Sequence, residues 1–172
     1  MNKIMKPSLI FALIASLLFA QACSVGYSFS GADIPAEANT FSVKTFQNIT
    51  PQAGPNYDLT ISEALKDLML AQTRLDLIDK RGDLQFEGVV TKYEIGNAAV
   101  SSEELTTLNR LTITLKVKYT NTFEREKNFE KTFSRFADYN STQDFNSVEA
   151  ELVREINDQL IQDIFDASLG AW

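Results

Sequence analysis

The sequence predicts an α+β two-layer sandwich: a four-stranded antiparallel sheet, with mixed pairing also allowed, and two helices packed on one face. Three observations lead there. Residues 110–120, RLTITLKVKYT, alternate faultlessly between Leu111, Ile113, Leu115, Val117 and Tyr119 on one side and Thr112, Thr114, Lys116, Lys118 and Thr120 on the other. Such alternation marks a strand with one buried and one wet face. Near the C-terminus Val148, Leu152, Ile156, Leu160 and Ile164 recur at helical spacing. The order strand, helix, several strands, helix then puts both helices over one sheet face.

The chain opens on a leader. Residues 9–20 are apolar except for Ser16 and follow Lys3 and Lys6. The run is too short to cross a hydrocarbon layer, which takes roughly 20 apolar residues, and reads as the core of a secretory signal. Ala20, Gln21 and Ala22 then precede Cys23, the only cysteine. This arrangement resembles a bacterial lipoprotein signal, which implies cleavage before a cysteine whose sulfur already carries a diacylglyceryl group. Residues 1–22 are therefore read as signal peptide, 23–40 as a lipidated N-terminal segment and 41–172 as one domain. Ordinary secretion with Cys23 a free thiol is the plainer alternative. Two or three acyl chains would make anchoring stable, since each buried methylene contributes about 0.8 kcal/mol.

The elements follow in order. TFSVKTF, residues 40–46, reads as a first strand with Phe41, Val43 and Thr45 on one face, ending at the Asn-, Pro- and Gly-rich loop QNITPQAGPN. Thr60 and Glu63 have capping-box spacing, so a helix is expected there, with Ile61, Ala64, Leu65 and Leu68 on its apolar side. RLDLID is either a short strand or a helix exit, with Gly82 as punctuation. DLQFEGVVTKYEI, residues 83–95, puts Leu84, Phe86 and Gly88 on one face, then shifts parity to Tyr93 and Ile95. The glycine at the change points to a bulge. NTFEREKN, residues 121–128, reads as a hairpin turn into residues 129–139, where Phe133 and Phe136 have opposite parity and leave the face open. The last helix is expected to start near Asn146, capped with Glu149, its stripe packing on the sheet or in a partner's groove.

Composition removes whole classes of chemistry. The chain has no histidine, and Cys23 is assigned to the anchor, so His-based triads and His/Cys zinc sites are excluded. Two of the 16 basic residues lie in the leader, leaving 14 against 23 acids from Cys23 onward, a formal charge of −9. Nucleic-acid binding needs a basic footprint that such a chain lacks. Carboxylate-pair catalysis remains formally possible, but the acids sit mostly at helix starts and on polar faces, as in ISEALKD and VEAELVREINDQL. No catalytic residue, metal ligand or cofactor is expected, and a periplasmic hydrolase would need two acids converging in a deep pocket.

With these elements in view, CSVGYSFSGADIP, FSVKTFQNIT, GDLQFEGVVTKYEI and the ending LIQDIFDASLGAW together resemble the LPS-assembly lipoprotein family LptE. Gly26, Tyr27, Phe29, Gly31 and Pro35 match its opening turn, Phe46 and Asn48 the end of its first strand, and Gly88 and Tyr93 the next strand. The resemblance covers essentially the whole chain after the leader and implies the same two-helix, four-stranded fold. It further implies a non-enzymatic component of the outer-membrane translocon that places lipopolysaccharide in the outer leaflet, sitting as a plug inside its partner, the β-barrel LptD. The residues after Cys23, SVGY, lack an aspartate of the inner-membrane retention type, so a lipid-anchored, periplasm-facing position on the outer membrane is expected. Another outer-membrane lipoprotein, such as a barrel-assembly accessory, is the alternative. If lipopolysaccharide is touched, its phosphates need cations; Arg110, Lys116 and Lys118 on the wet face of the best strand, joined by Arg135, are the candidates. A merely solubilising strand face is the bland explanation of the same residues.

Overall fold

The computed structural model describes residues 32–98 and 107–170. The leader, Cys23 and the opening turn through Gly31 lie outside the described residues.

The main sheet has the strand order β3-β1-β4-β5-β6, with β2 beside β4. Its strands are β1 (Thr40–Val43), β2 (Gln47–Asn48), β3 (Asp76–Leu77), β4 (Leu84–Asn97), β5 (Leu108–Asn121) and β6 (Phe129–Asn140). Helix α1 (Tyr57–Gln72) connects β2 to β3, and α2 (Phe145–Leu169) follows β6. The two-layer α+β class is as predicted, but the sheet has six strands rather than four and is mixed. β1 runs parallel to β3 and β4, β2 parallel to β4, and β4, β5 and β6 form an antiparallel meander. Two of the strands are only two residues long.

β5 behaves as its alternation requires. Leu111, Ile113, Leu115, Val117 and Tyr119 are all essentially inaccessible, because β5 has neighbours on both edges and helices over one face. The expected first strand is instead broken. The Phe46 N–H leaves the ladder to donate to Ser62 Oγ of α1 at 2.9 Å, so parity inverts: Thr45 is exposed and Phe46 buried. The chain then rejoins β4 as β2, with the Ile49 N–H donating to the Val90 carbonyl at 3.3 Å.

This break explains Gly88. A Cβ there would overlap the ring of Phe46, so the glycine clears room for an aromatic rather than forming a bulge. The bulge lies three residues on, at Thr91, between Val90 and Lys92. It lets both Val90 and Tyr93 point into the core despite their opposite parity. Ile95 shares that face but is 46% exposed, because β2 ends opposite Val90 and no described strand flanks that edge of β4 beyond it. The neighbouring turn makes a similar demand: a Cβ at Gly82 would meet the Phe41 backbone at 2.5 Å.

Neither capping box forms. α1 starts at Tyr57, behind Asn56 in the left-handed region at φ 67°, which asparagine tolerates. Thr60 lies inside the helix, its hydroxyl bonded back to the Asn56 carbonyl, and Glu63 pairs with Lys66. Tertiary contact recruits the extra turn. Tyr57 is buried edge-on to Tyr93 at 5.6 Å, and its hydroxyl donates to Asn157 Oδ1 of α2 at 2.6 Å. The Tyr93 hydroxyl donates to Glu149 Oε1 at 2.5 Å, so Glu149 bonds the sheet instead of capping its helix with Asn146. The α2 stripe faces the sheet as predicted, with Ile161, Phe165 and Leu169 widening it.

A carboxylate fastens the start of β1 to β4. Asp83 Oδ2 accepts the N–H groups of Asn39 and Thr40, both at 3.0 Å, and the Thr40 hydroxyl at 2.8 Å. These bonds, the Asn39 N–H foremost, hold its pKa below the ordinary aspartate value.

Two outcomes follow from this packing. Gly88→Ala should cost about 1–3 kcal/mol in urea unfolding, the usual range for overpacking, and Phe46→Leu in the same chain should recover part of it. Burial raises the phenol pKa of Tyr57, Tyr93 and Tyr119, the last to about 12. A raised folded pKa means stability is complete below the unfolded phenol value of about 10 and is lost as pH climbs above it. Phenolate absorbance at high pH should therefore show these three titrating together with loss of far-UV circular dichroism.

Candidate functional site

With both helices on one side, the opposite face of β4, β5 and β6 stays open. Its central row is the polar side of β5, running Arg110, Thr112, Thr114, Lys116, Lys118 and Thr120. In register, Lys118 lies between Glu87 of β4 and Glu130 of β6, and Arg110 lies beside Asp138 of β6.

The four candidate cations are not one cluster. Lys116 and Lys118 sit together near the hairpin end, but Arg110 is eight residues away, about 26 Å along an extended strand. Its guanidinium donates to both carboxylate oxygens of Asp138, Nε at 2.7 Å and Nη2 at 2.8 Å, and lies 3.6 Å from the centre of the Phe136 ring. The bond to Asp138 raises the arginine pKa and lowers that of the aspartate. Arg135 does not join the row. Its parity on β6 is that of Phe129, Phe133, Ala137 and Tyr139, which puts it on the helix side. There it forms a bidentate pair with Asp163 of α2, both contacts at 2.6 Å. This also settles the face of β6: Phe133 packs toward the core and Phe136 is 49% exposed on the open side.

Lys116 forms an ion pair with Glu130 and, as the first cause, keeps that carboxyl below the usual range. Lys118 makes no ion pair among the described residues. Between Lys116, Lys118, Lys44 and Glu87 lies a shallow hollow of about 210 Å³, and a second of about 490 Å³ beside β1 and β3 shares Lys44, Thr45 and Glu87 with it as lining. Lys66, Lys80 and Arg81 border the larger one. Sequence reasoning missed these three cations because it read RLDLID as a short strand or helix exit, took only Gly82 as punctuation after it, and put ISEALKD on a polar helix face. The readable signal was two consecutive cations immediately before a glycine.

The acids offer no catalytic arrangement among the described residues. Every resolved carboxylate shift, at Asp83, Glu130 and Asp138, is downward, whereas a general acid needs an upward one. Among the described residues no group of three or more His, Cys, Asp or Glu is placed to hold a metal ion. No described helix is long and apolar enough to cross a membrane. Cys23, the assigned lipidation site, lies outside the described residues. The first described residues are held nonetheless: Ala32 bridges to Gly170, the Asp33 N–H donates to the Leu169 carbonyl at 2.6 Å, and the Asp33 carboxylate pairs with Lys127 of the β5–β6 hairpin at 2.7 Å.

Fold and site together define a small helix-on-sheet domain that offers a polar, charge-lined sheet surface. Solved structures share that architecture. A minor lipoprotein from Acinetobacter baumannii is 17% identical with a TM-score of 0.51, covering 77% of this chain and 97% of its own. The uncharacterized lipoprotein B from Nitrosomonas europaea is 13% identical with a TM-score of 0.53, covering 83% and 88%. A hypothetical protein from Chlamydia trachomatis is 7% identical with a TM-score of 0.51, covering 76% and 98%. At such identities the likeness shows the fold alone. No curated protein matches the sequence. Residues 38–168 match the family described as LptE, Lipopolysaccharide-assembly, and the chain belongs to it.

The two faces respond differently to mutation. Lys118→Ala should change the melting temperature little, since it breaks no direct ion pair and removes only an exposed cross-strand attraction to Glu87 and Glu130. Arg135→Ala should lower it at low salt, because it leaves Asp163 of α2 without its partner, and high salt should shrink the difference by screening.

Proposed function

We propose that this protein is an outer-membrane lipoprotein, anchored through Cys23 and facing the periplasm, that plugs and helps to assemble an LptD-type β-barrel of the lipopolysaccharide translocon. It works without catalysis. The observation that carries this reading is the family match, which spans nearly all of the described domain.

The surface chemistry supports it. A plug in a wet lumen needs a rigid core and a hydrated exterior, and the open sheet face supplies threonines and cross-strand charge pairs, with Phe136 lying under the Arg110 guanidinium. Lipopolysaccharide contact falls to Lys116 and Lys118. Lys118 is free, and Lys116 is held only by an exposed pair with Glu130 that a phosphate can displace. Arg110 and Arg135 are less available, each being engaged by both oxygens of a carboxylate.

Tagging the C-terminus, solubilising outer membranes gently and identifying stoichiometric partners by mass spectrometry should return one large β-barrel of the LptD type. Recovery of the protein alone, or with the barrel-assembly complex, would overturn the translocon role. Reversing Lys116 and Lys118 to glutamate should weaken lipopolysaccharide binding about tenfold or more while the domain stays folded, with at most a small fall in melting temperature from the like charges set beside Glu87 and Glu130. Unchanged binding would remove those two residues from the contact.

A further inference from the structure

The described part of the chain carries 14 lysines and arginines. Most are committed to carboxylates, to backbone carbonyls or, for Lys131, to the Phe129 ring. Among the described residues five side chains, Lys80, Arg81, Lys118, Arg125 and Arg154, make none of these contacts. Three of these five border the two neighbouring hollows, Lys118 the smaller and Lys80 and Arg81 the larger. In a protein this acidic, free cations gathered beside adjacent hollows are out of keeping with the rest of the surface.

The turn carrying two of them is held against local preference. Arg81 adopts φ 59° in the left-handed region, where a long side chain is disfavoured and Gly or Asn is usual. Gly82 follows it directly, pressed on the Phe41 backbone, with its N–H donating to Ser42 Oγ at 3.1 Å. The turn is thus clamped to β1, and the strained position carries a guanidinium rather than the residue that would relieve it. A local conflict of this kind marks sites retained for function.

We propose that the larger hollow binds a phosphomonoester group, gripped by Lys80 and Arg81 with Lys44 and Lys66 at its rim. Lys44 is held only by a long contact of 3.4 Å to Glu87, and Lys66 pairs with Glu63 on the same helix; a dianion can recruit both. A single carboxylate would be satisfied by one of these cations, whereas a dianionic phosphoester uses several charge-assisted bonds at once. Asp79 and Glu87 also border the hollow and keep the site selective for a dianion that outcompetes them. Leu77 and Ile78, 39% and 36% exposed, add an apolar wall beside the cations, which suits a phosphate carrying glycerol or an acyl chain. The site stands apart from the barrel partnership and from the Lys116 and Lys118 contact.

The test uses the mature chain from residue 23 with Cys23→Ser, titrated with glycerol phosphate under backbone-amide NMR. In parallel, it is floated with phosphatidylcholine vesicles with and without phosphatidic acid. Saturable shifts confined to residues 42–45 and 78–83 are expected, with affinity about tenfold lower in Lys80→Ala and in Arg81→Gly, the loss of a charged hydrogen bond. Arg81→Gly also relieves the backbone, so its melting temperature should not fall, which separates lost binding from lost folding. Arg154→Gln removes the same charge on α2 and should bind as the parent does. Binding to both probes supports a phosphoester from either source, binding to vesicles alone makes it a lipid head group, and binding to glycerol phosphate alone makes it a soluble ester. No binding to either probe, equal loss in Arg154→Gln, parental affinity in Arg81→Gly, or equal affinity for a glutamate-rich peptide would each overturn the proposal.

Discussion

The two described helices pack on the same face of this sheet, and that one-sidedness governs the remaining choices. On the covered side β5 buries every inward residue from Leu111 to Tyr119, and Phe86, Tyr119, Phe129 and Phe133 contact one another in turn across three strands. On the open side the same strands must stay wet without becoming sticky. Glu87, Lys118 and Glu130 alternate in sign across the strands, and Arg110 is matched to Asp138. Such pairs contribute little each, about 0.2–1 kcal/mol, yet they fix register and discourage a second sheet from stacking. The same logic protects β6, a 12-residue edge strand bearing Glu130, Lys131, Arg135 and Asp138.

The break between β1 and β2 is the second constraint and follows from the first. A strand entering α1 must turn its chain toward the helix layer, and donation of the Phe46 N–H to Ser62 accomplishes this one residue past the exposed Thr45. Phe46 then needs space on the sheet, which Gly88 leaves open. Where the backbone departs from the ladder, Lys44 and Thr45 stand at the lip of both hollows. Packing on the inner face therefore creates the concavity on the outer edge.

How much of this was legible depended on whether each residue's environment is set locally. β5 and the α2 stripe were readable because a two- or 3.6-residue period is imposed by backbone geometry, and nothing interrupts it. The helix starts were not. Thr60 with Glu63 and Asn146 with Glu149 have the right spacing, but Tyr57 gains a buried partner across 100 residues and Glu149 one across 56, and such contacts outweigh a cap of about 1 kcal/mol. The face of Arg135 was equally hidden. An arginine on a core-facing parity reads as a strand exception until Asp163, on a helix 28 residues away, is seen to receive it. The site followed the same division: the regular row of β5 announced Lys116 and Lys118, whereas Lys80 and Arg81 sit in a turn with no period to betray them.

Geometry also gathers several features at one end of the domain. Leu84 pairs with Asn121, and the Thr122 N–H reaches the Asp83 carbonyl, so the Lys80–Arg81 turn lies at the hairpin end of the sheet. Lys118 is three residues from that end, and Asp33 is tied there through Lys127. The burial cost of desolvating Lys127 is outweighed by its two carboxylates, Asp33 and Glu124, whose hydrogen bonds raise its pKa. The chain therefore enters the domain at a defined point. Nine Cα-to-Cα steps lead from Cys23 to Ala32, a reach of at most about 30 Å. A lipid on that cysteine would hold the hairpin end, with its free cations, within a few nanometres of a phosphate-bearing membrane surface. Over that distance screening at about 8–10 Å leaves little long-range pull, so orientation must come from contact, and the clamped Arg81 turn is built for contact rather than for steering.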